Sequence, residues 1–380
     1  MPFETCLLSD IAEIIVGFPF KSGDFNTDGK GVKLVRGVNV TAGSFRWGGD
    51  SRWWNDLTPG LSPYYLKKDD IIVGMDGSRV GKNYTMVQEC DLPLLLVQRV
   101  ACIRAKEGID QNYLWSCICS LKFEAYIDSI KTGTTIPHIS AKQIGNYPIP
   151  LVSKSVQKAV GYYSKIINSE IQVIQKINDN LLDICKTQYH KIVNISSNSL
   201  LLSDLAEVCY GKDHKLLKEG NIPVYGSGGI MRYCEKPLYS GKESVLIPRK
   251  GTLNNVIFVS KPFWSVDTMF YTKMKNIHAA KYLYFWLSDI DLAEMNTGSA
   301  VPSMTTEILN DIEIFYPGDY ILKTFDELIQ PLFDTIELNK QHIAHLTIIK
   351  DCLLPKLMSG AIDINSVHLE TKYSFSSTDE

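Results

Sequence analysis

Two stretches of the chain share one periodic pattern of apolar side chains. From Ser153 to Ile192, apolar residues recur at alternating steps of four and three, the heptad pattern of a helix that packs along another helix. The same register returns 169 residues later. Forty residues of helix would span roughly 60 Å. One such stretch alone fits an ordinary core helix, but the matched pair predicts a spacer made of two helices lying on each other.

The predicted seam carries one polar position near the middle of each helix, Glu170 in the first and Asn339 in the second. A polar seam residue costs stability but can fix the register, so we expect these two side chains to come close where the helices cross. Pro331 removes a backbone hydrogen bond and predicts a kink or a fresh start in the second helix. The other seam positions that we expect to pack are Val160, Ile167, Ile174, Leu181, Ile336, Ile343, Leu346 and Leu353.

The segment before each predicted helix is also repeated. Residues 7–17 match residues 201–211 at seven of eleven positions, which marks the start of a second copy. Alignment of the two copies places Gly77 on Gly251 at the tip of a turn. Each copy carries short segments of β-like composition between turns rich in Gly, Pro and Asn. These segments include Val32–Arg36, Asp70–Val73 and Leu94–Ile103 in the first copy, and Ile222–Tyr225, Ser244–Ile247 and Ser265–Thr272 in the second.

The pattern therefore predicts an α+β protein with an internal repeat, in which a globular unit and a long helix each occur twice. The first globular unit is larger, with an aromatic-rich insertion around Trp47, Trp53 and Trp54. Little in the last residues could be buried, which predicts a disordered tail. The predicted divisions are 1–152, 153–195, 196–318, 319–362 and 363–380, in the order globular unit, helix, globular unit, helix, tail.

Composition narrows the functional classes. The 380 residues are 45% hydrophobic with a formal charge of −3, typical of a soluble globular chain without a strong basic field. We find no apolar run of the roughly 20 residues that a membrane helix needs and no secretion signal, and we expect a cytoplasmic protein. Nine scattered cysteines suggest reduced thiols. Cys117 and Cys119 are the one close pair, and no further ligands complete a metal site.

No catalytic motif emerges from the sequence. A phosphate-binding Gly-x4-Gly-Lys-Ser/Thr loop and a Gly-x-Ser-x-Gly nucleophile elbow are both missing. Tyr225-Gly-Ser-Gly-Gly superficially suggests a cofactor-binding turn, but the residues that follow it do not start a helix. The carboxylates do not pair at a spacing that singles out a general acid and base. The sequence therefore offers no convincing catalytic site.

Basic and amide side chains in predicted turns are the candidates for contact with a ligand. Arg, Lys and Asn hydrogen-bond base edges, and nearby glycines permit close approach of the backbone to phosphate, so these turns suggest DNA binding. A solvated turn is the plain alternative for each, and Arg249-Lys250 is the best candidate. The candidates are Lys21, Arg36, Asn39, Arg79, Lys82, Asn83, Thr132, Thr134, Thr135, Lys212, Ser227, Arg232, Arg249, Lys250, Thr252, Asn254, Thr297 and Ser299.

The order of the motifs along the chain resembles that in the specificity subunit of a type I restriction–modification enzyme. The resemblance covers about Leu7 to Ile364. It rests on Leu-Ser-Asp-Ile-Ala-Glu at 8–13 with its copy at 202–207, Val-Tyr-Gly-Ser-Gly-Gly-Ile at 224–230, Pro-Arg-Lys-Gly-Thr at 248–252, Thr-Gly-x-x-Ile/Val-Pro at 132–137 and 297–302, and Asp-x-Leu-Leu-Pro-Lys-Leu-x-Ser-Gly at 351–360. Two departures are Asn254-Asn255, where the family often has another glycine, and Met75-Asp76-Gly77, which replaces Arg-Lys-Gly in the first copy.

The resemblance implies a non-catalytic reader of double-stranded DNA. Each globular unit would be a target-recognition domain that binds one half of a split, asymmetric target, and the helices would pack as an antiparallel coiled coil with pseudo-two-fold symmetry. Methylation subunits and restriction (translocase and nuclease) subunits would assemble around it. No cofactor would bind this chain, since S-adenosylmethionine, ATP and Mg²⁺ would belong to those partners, and no membrane would be involved. The alternatives are a recognition subunit of a related type II enzyme and a scaffold whose globular units bind protein or glycan.

Overall fold

The computed structural model describes residues 4–49, 51–56, 58–77, 79–133, 137–194, 198–251, 253–295 and 303–362. The chain forms two compact units. The first comprises Met1–Lys176 and Lys340–Glu380, and the second comprises Ile177–Asn339. The tail at 363–380, for which the sequence predicts disorder, lies outside the described residues.

The described residues before and into the first long helix form nine strands and five helices. In chain order these are β1 (Thr5–Leu7), α1 (Leu8–Ile11), β2 (Ala12–Val16), β3 (Val32–Val35), β4 (Trp53–Trp54), β5 (Ile71–Gly74), β6 (Tyr84–Met86), β7 (Leu94–Leu96), β8 (Val100–Ala105), α2 (Gln111–Ile118), α3 (Leu121–Ile130), α4 (Ala141–Gly145), β9 (Pro148–Pro150) and α5 (Lys154–Val193). The last of these is one unbroken helix of 40 residues.

The described part of the remaining chain repeats this order. It contains β10 (Asn198–Leu201), α6 (Leu202–Leu205), β11 (Ala206–Tyr210), β12 (Ile222–Gly226), β13 (Gly229–Cys234), β14 (Ser244–Pro248), β15 (Ile257–Val259), β16 (Trp264–Ser265), β17 (Met269–Met274), α7 (Ala280–Asp289), α8 (Thr306–Asn310), β18 (Glu313–Tyr316) and α9 (Asp319–Met358). The expected α+β class with two globular domains is confirmed, whereas the predicted bounds of the domains and helices stay a prediction.

The strands of each unit pair in the same way. The first unit has a four-stranded sheet in the order β2-β8-β5-β6, and the second has β11-β17-β14-β15. A three-stranded sheet, β4-β3-β7 or β13-β12-β16, and a two-stranded pair, β1-β9 or β10-β18, complete each unit. In both three-stranded sheets one pair is parallel and the other antiparallel. The repeat seen in the sequence is therefore a repeat of topology.

A short local motif explains why the repeated Leu-Ser-Asp sequence folds identically twice. Asp10 accepts a hydrogen bond from the backbone N–H of Leu7 at 2.9 Å, and Asp204 accepts one from Leu201 at 3.0 Å. Each carboxylate thereby satisfies a backbone donor at the start of a one-turn helix. The turn redirects the chain from the two-stranded pair into the four-stranded sheet.

Each unit has its own apolar core, which lies between its four-stranded sheet and its helices. In the first unit Ile71 and Ile103 from the sheet pack with Tyr113 and Phe123 from α2 and α3. In the second unit the corresponding core includes Ile247, Phe270, Tyr282 and Leu283. The strands supply mostly β-branched residues, which suit a pleated, buried surface.

Two predictions about local structure need correction. Residues 94–103 and 265–272 were each predicted as one strand, but each forms two strands separated by a tight turn. Pro331 does not start a new helix, because α9 continues unbroken across it, and the alternative of a kink there stays a prediction. The helix ends at Met358, where Gly360 adopts φ = +67° and donates its N–H to the carbonyl of Leu357.

The long helices bury different parts of the predicted seam. In α9 the predicted positions are all buried or half-buried: Ile336, Asn339, Ile343, Leu346 and Leu353. In α5 Val160, Ile167 and Ile174 are buried and Leu181 is half-buried. Among the neighbouring residues of α5, Ser164, Ile171, Asn178 and Cys185 are buried or half-buried, whereas Glu170, Ile177 and Ile184 are exposed. Glu170 is therefore not a seam residue, and at positions 170, 177 and 184 the inward side of α5 lies one residue further along than the heptad pattern predicts.

The two polar positions have separate partners. Asn339 hydrogen-bonds Asn178 within the second unit at 2.7 Å. Glu170 lies 3.5 Å from Nε2 of His342 within the first unit, and both side chains are about half exposed. His342 is thus the ion-pair partner of Glu170 when its imidazole is protonated.

Candidate nucleic-acid interface

Each unit places one glycine turn at the end of the central strand β5 or β14. Gly77 has φ = +96° and Gly251 has φ = +87°, conformations that residues with a side chain rarely adopt. In both units the turn hydrogen-bonds the chain two residues after the Thr-Gly-x-x-Ile/Val-Pro motif. The N–H of Ile139 donates to the carbonyl of Met75, and that of Met304 donates to Arg249, both at 2.9 Å. The fold thus brings the residues that follow this motif, Ile139 and Met304, to the glycine turn of their unit.

A second turn lies directly beside the first. In the first unit the N–H of Met75 donates to the carbonyl of Arg99 at 3.0 Å, and in the second the N–H of Arg249 donates to Thr268 at 2.9 Å. These turns, residues 97–99 and 266–268, join the strand pieces that the sequence had predicted to be continuous. Arg99 and Thr268 therefore occupy equivalent positions in the two units.

In the second unit Arg249 connects the two turns. Its guanidinium donates to the backbone carbonyl of Asp267 at 3.2 Å and lies 5.4 Å from the centre of the Tyr210 ring. A cation over an aromatic face is held without using all of its N–H donors. The neighbouring Lys250 side chain is exposed. This pair can contribute two positive charges and several hydrogen-bond donors at the edge.

In the first unit the cation comes from the other turn. Asp76 occupies the position equivalent to Lys250, and Arg99 forms an ion pair with it, NH1 to Oδ2, at 3.2 Å. The Arg99 side chain is 70% exposed, whereas that of Asp76 is 24% exposed. Arg99 was missed in the sequence because residues 94–103 resembled one uninterrupted strand. A polar Gln98-Arg99 pair inside an apolar run was the available signal.

Three of the predicted candidates, Asn39, Arg232 and Asn254, hydrogen-bond other groups of their own unit. Asn39 is fully buried, and its amide both accepts from the N–H of Arg36 and donates to the carbonyl of Arg46, each at 3.1 Å. Arg232 directs its guanidinium to the carbonyl of Leu217. Asn39 is thus held inside the fold, whereas Arg232 is half-buried and its contact with a ligand stays a prediction.

Asn254 is likewise committed within its unit. Its Nδ2 donates to Asp291 at 2.9 Å, and its Oδ1 accepts from the N–H of Ala293 at 3.1 Å. The pKa of Asp291 is lowered, with the hydrogen bond from Asn254 as the largest cause. Asn254 thus anchors the loop after α7 to the loop that follows Gly251.

The remaining candidate residues fall into three groups: exposed, half-buried and outside the described residues. Lys21, Arg79, Lys82, Thr132 and Lys212 are exposed, and Arg36, Asn83 and Ser227 are half-buried. Thr132 is bonded to His138, Oγ1 to Nε2, at 3.1 Å, and Ser227 accepts from Asn255 through its carbonyl at 2.7 Å. Thr134, Thr135, Thr252, Thr297 and Ser299 lie outside the described residues.

The thiols and acids of the described chain do not assemble a metal centre. All nine cysteines are free, and no group of three or more His, Cys, Asp or Glu residues in the described ranges could hold a metal ion. Burial raises the pKa of the Cys117 thiol to about 12, so this cysteine is a protonated core residue at neutral pH. No described helix is both long and apolar enough to span a bilayer.

The chain matches the model of one protein family over most of its length. Residues 2–192 and 197–347 match the type I restriction modification DNA specificity domain. A specificity subunit of the type I restriction enzyme EcoAI from Escherichia coli is 30% identical over 180 residues, which are 46% of this chain and 29% of that protein. The MjaIX specificity subunit from Methanocaldococcus jannaschii is 20% identical over 417 residues, which cover 88% of this chain and 94% of that one.

The matches differ in how much of each relative they cover, and a solved structure shares the fold. The chain spans from 29% to 48% of the length of three of the curated relatives it matches. The crystal structure of a type I restriction–modification S subunit from M. genitalium superimposes with a TM-score of 0.51 at 16% identity, covering 94% of this chain and 96% of that one. At that identity the likeness shows a shared fold.

Proposed function

This chain belongs to the type I restriction-modification DNA specificity family, as the sequence motifs had indicated, and from this we propose that it recognises a split duplex DNA target, with one half-site for each unit. The proposal rests on one observation: each unit has the same two neighbouring turns, and in each unit an arginine guanidinium and a glycine lie at these turns. The turns are residues 75–77 and 97–99 in the first unit, and residues 249–251 and 266–268 in the second. Such groups hydrogen-bond phosphates and base edges. Because the charged residues of the two edges differ, we expect an asymmetric target.

We propose further that the chain acts as a recognition subunit without chemistry of its own. Methylation and restriction subunits would assemble with it and would carry S-adenosylmethionine, ATP and Mg²⁺. The names of the relatives, specificity subunits of type I restriction enzymes, support this assignment. Partner subunits would also supply positive surface to neutralise phosphates, since the net charge of this chain is −3.

The long helices would act as an antiparallel spacer that sets the gap between the half-sites. Within the first unit Lys350 Nζ lies 3.4 Å from Asn168 Oδ1, and Ile167 and Ile174 pack with Leu346. Within the second unit Asn339 meets Asn178. The partner numbers fall along one helix as they rise along the other, as an antiparallel pair requires.

Lengthening both helices by one heptad tests the proposal. Duplicating residues 168–174 and 340–346 together keeps the seam in register and adds about 10 Å, which is about three base pairs of DNA. The methylated positions in the genome of a host that carries the chain with its methylation subunits are then mapped. We expect unchanged half-sites with a gap longer by about three base pairs.

The control carries a second copy of residues 168–174 inserted after Glu219, in an exposed loop, and should leave the gap unchanged. An active double-duplication variant with an unaltered gap would refute the spacer. A wild-type chain that confers no sequence-specific methylation, and selects no sequence from random duplexes with its partners, would refute DNA recognition itself.

A further inference from the structure

Arg99 stands out by its backbone conformation as well as by its position. It has φ = +65°, and Asp69 is the only other residue with a side chain in this conformation within the described ranges. Asp tolerates the left-handed region better than most residues, but arginine gains nothing from it, so a glycine would be less strained at position 99. An arginine kept at a strained turn suggests that its side chain has a use.

The comparison of the two units indicates that use. In the second unit Arg249 extends from the turn after β14 toward residues 266–268. In the first unit Arg99 extends from residues 97–99 toward the turn after β5, where it meets Asp76. In each unit one guanidinium therefore bridges the same two turns. The arginine belongs to one turn in the first unit and to the other turn in the second. Sequence alignment alone pairs Arg249 with the uncharged Met75 and suggests that the first unit has lost its cation.

We propose that Arg99 is the base-contacting residue of the first unit, the counterpart in space of Arg249, and that it binds a guanine edge in the first half-site. This inference rests on the DNA-recognition function proposed above. Asp76 is then a positioning residue. Its carboxylate engages one end of the guanidinium, leaving most of the five N–H donors for the bidentate contact that arginine makes to guanine O6 and N7.

The charge at this edge supports the pairing. Asp76 stands where the second unit has Lys250, and an unneutralised carboxylate there would repel the phosphates of DNA. The ion pair with Arg99 cancels that charge, and the 70% exposure of Arg99 keeps the guanidinium accessible. A surface ion pair contributes little to folding stability, so recognition explains the arrangement better than stability does.

The test uses the full chain with its methylation subunits and selects bound sequences from random duplexes. Arg99→Gly removes the side chain while suiting the left-handed backbone, so the fold should be kept. We expect it to lose preference for one guanine of the first half-site, to bind the full target about tenfold to a hundredfold more weakly, and to select the second half-site unchanged. Arg99→Lys should keep affinity for phosphate but lose the guanine preference.

Two further variants complete the test. Asp76→Ala should weaken the same guanine preference while strengthening binding to unrelated DNA, which a merely structural residue would not do. Lys67→Ala removes one exposed cation just before the opposite end of β5 and should leave the base preference intact. Arg99→Gly with an unchanged sequence profile, or with both half-sites degraded alike, overturns this inference and leaves DNA recognition standing. A wild-type complex that selects no sequence overturns the proposed function instead.

Discussion

Asn339 donates a hydrogen bond from Nδ2 to Oδ1 of Asn178 at 2.7 Å, and both side chains are half-buried. The polar break of the second helix is therefore satisfied by an asparagine that the sequence pattern did not place in the seam. A paired amide in an apolar seam specifies one register, because a shift along either helix would separate the partners.

Removing one amide should cost more than removing both. Asn339→Leu leaves the Asn178 amide without its partner and should lower the free energy of unfolding by about 1 kcal/mol. Asn178→Leu with Asn339→Leu should recover or exceed the stability of the wild type. Urea denaturation of the two single variants and the double variant measures the coupling. Asn180→Leu, at an exposed site on the same helix, is the control, and strictly additive effects would count against a specific pair.

Loss of both cations at the second edge should weaken one half-site. Arg249→Ala with Lys250→Ala removes the guanidinium over Tyr210 and the exposed ammonium, and a base-edge arginine contact is worth about 1–3 kcal/mol. Binding to duplexes altered in either half-site should show that the loss is confined to the second. Lys236→Ala with Lys242→Ala removes the same charge before the opposite end of β14 and serves as the control. Unchanged affinity in the Arg249 and Lys250 variant would leave this turn without a role in recognition.

Close packing of the backbone should make Gly17 intolerant of any side chain. A Cβ atom there would lie 2.2 Å from the carbonyl oxygen of Val97, so the two chain segments would have to separate. Gly17→Ala should therefore destabilise the first unit by about 1–3 kcal/mol, as overpacking does. Gly23→Ala meets no atom within 4 Å and should have little effect. Equal thermal midpoints for the two variants would contradict the packing.

Lys350 should be replaceable by an apolar residue with a gain in stability. Its ammonium is largely buried and lies 3.2 Å from Cys119 Sγ and 3.4 Å from Asn168 Oδ1, neither of which is a carboxylate. Burial of a charge without a countercharge is costly, so Lys350→Met should raise the free energy of unfolding by about 1–3 kcal/mol. Lys356→Met, at an exposed position of α9, controls for the change of residue type. A fall in the urea midpoint would mean that the two polar contacts outweigh the burial of charge.

The second unit should become less stable as Glu243 ionises. Burial raises the pKa of Glu243 above its ordinary value of 4.5, although the hydrogen bond from Lys281 opposes the shift and Asp326 and Asp334 add to it. The folded state therefore holds the proton more tightly, and the stabilisation this provides at low pH is lost as pH rises from about 4.5 through the raised pKa.

Glu243→Gln lacks this titration, and Asp326 remains to pair with Lys281. Unfolding free energies of the variant and the wild type, measured at successive pH values, should diverge in favour of the variant as pH rises above about 4.5. A constant difference across that range would show that burial does not disfavour the carboxylate.

The sequence alone determined the features that depend on local chemistry. The helices follow from a periodic pattern that forty consecutive residues sustain, and the turns at Asp10 and Asp204 follow from a side chain that reaches three residues back. The repeat of these motifs was enough to predict two units with the same order of elements and to identify the family.

Only the tertiary structure decided which residues of each predicted element face inward. Positions three and four residues apart lie on neighbouring parts of a helix surface, so only the partner helix could select Ile171 over Glu170. Arg99 joined the candidate edge because the fold brings it to Asp76, 23 residues away, and Asn339 meets Asn178, which is 161 residues away. Such choices depend on residues distant in the chain, and the periodicity of a single segment carries no information about them.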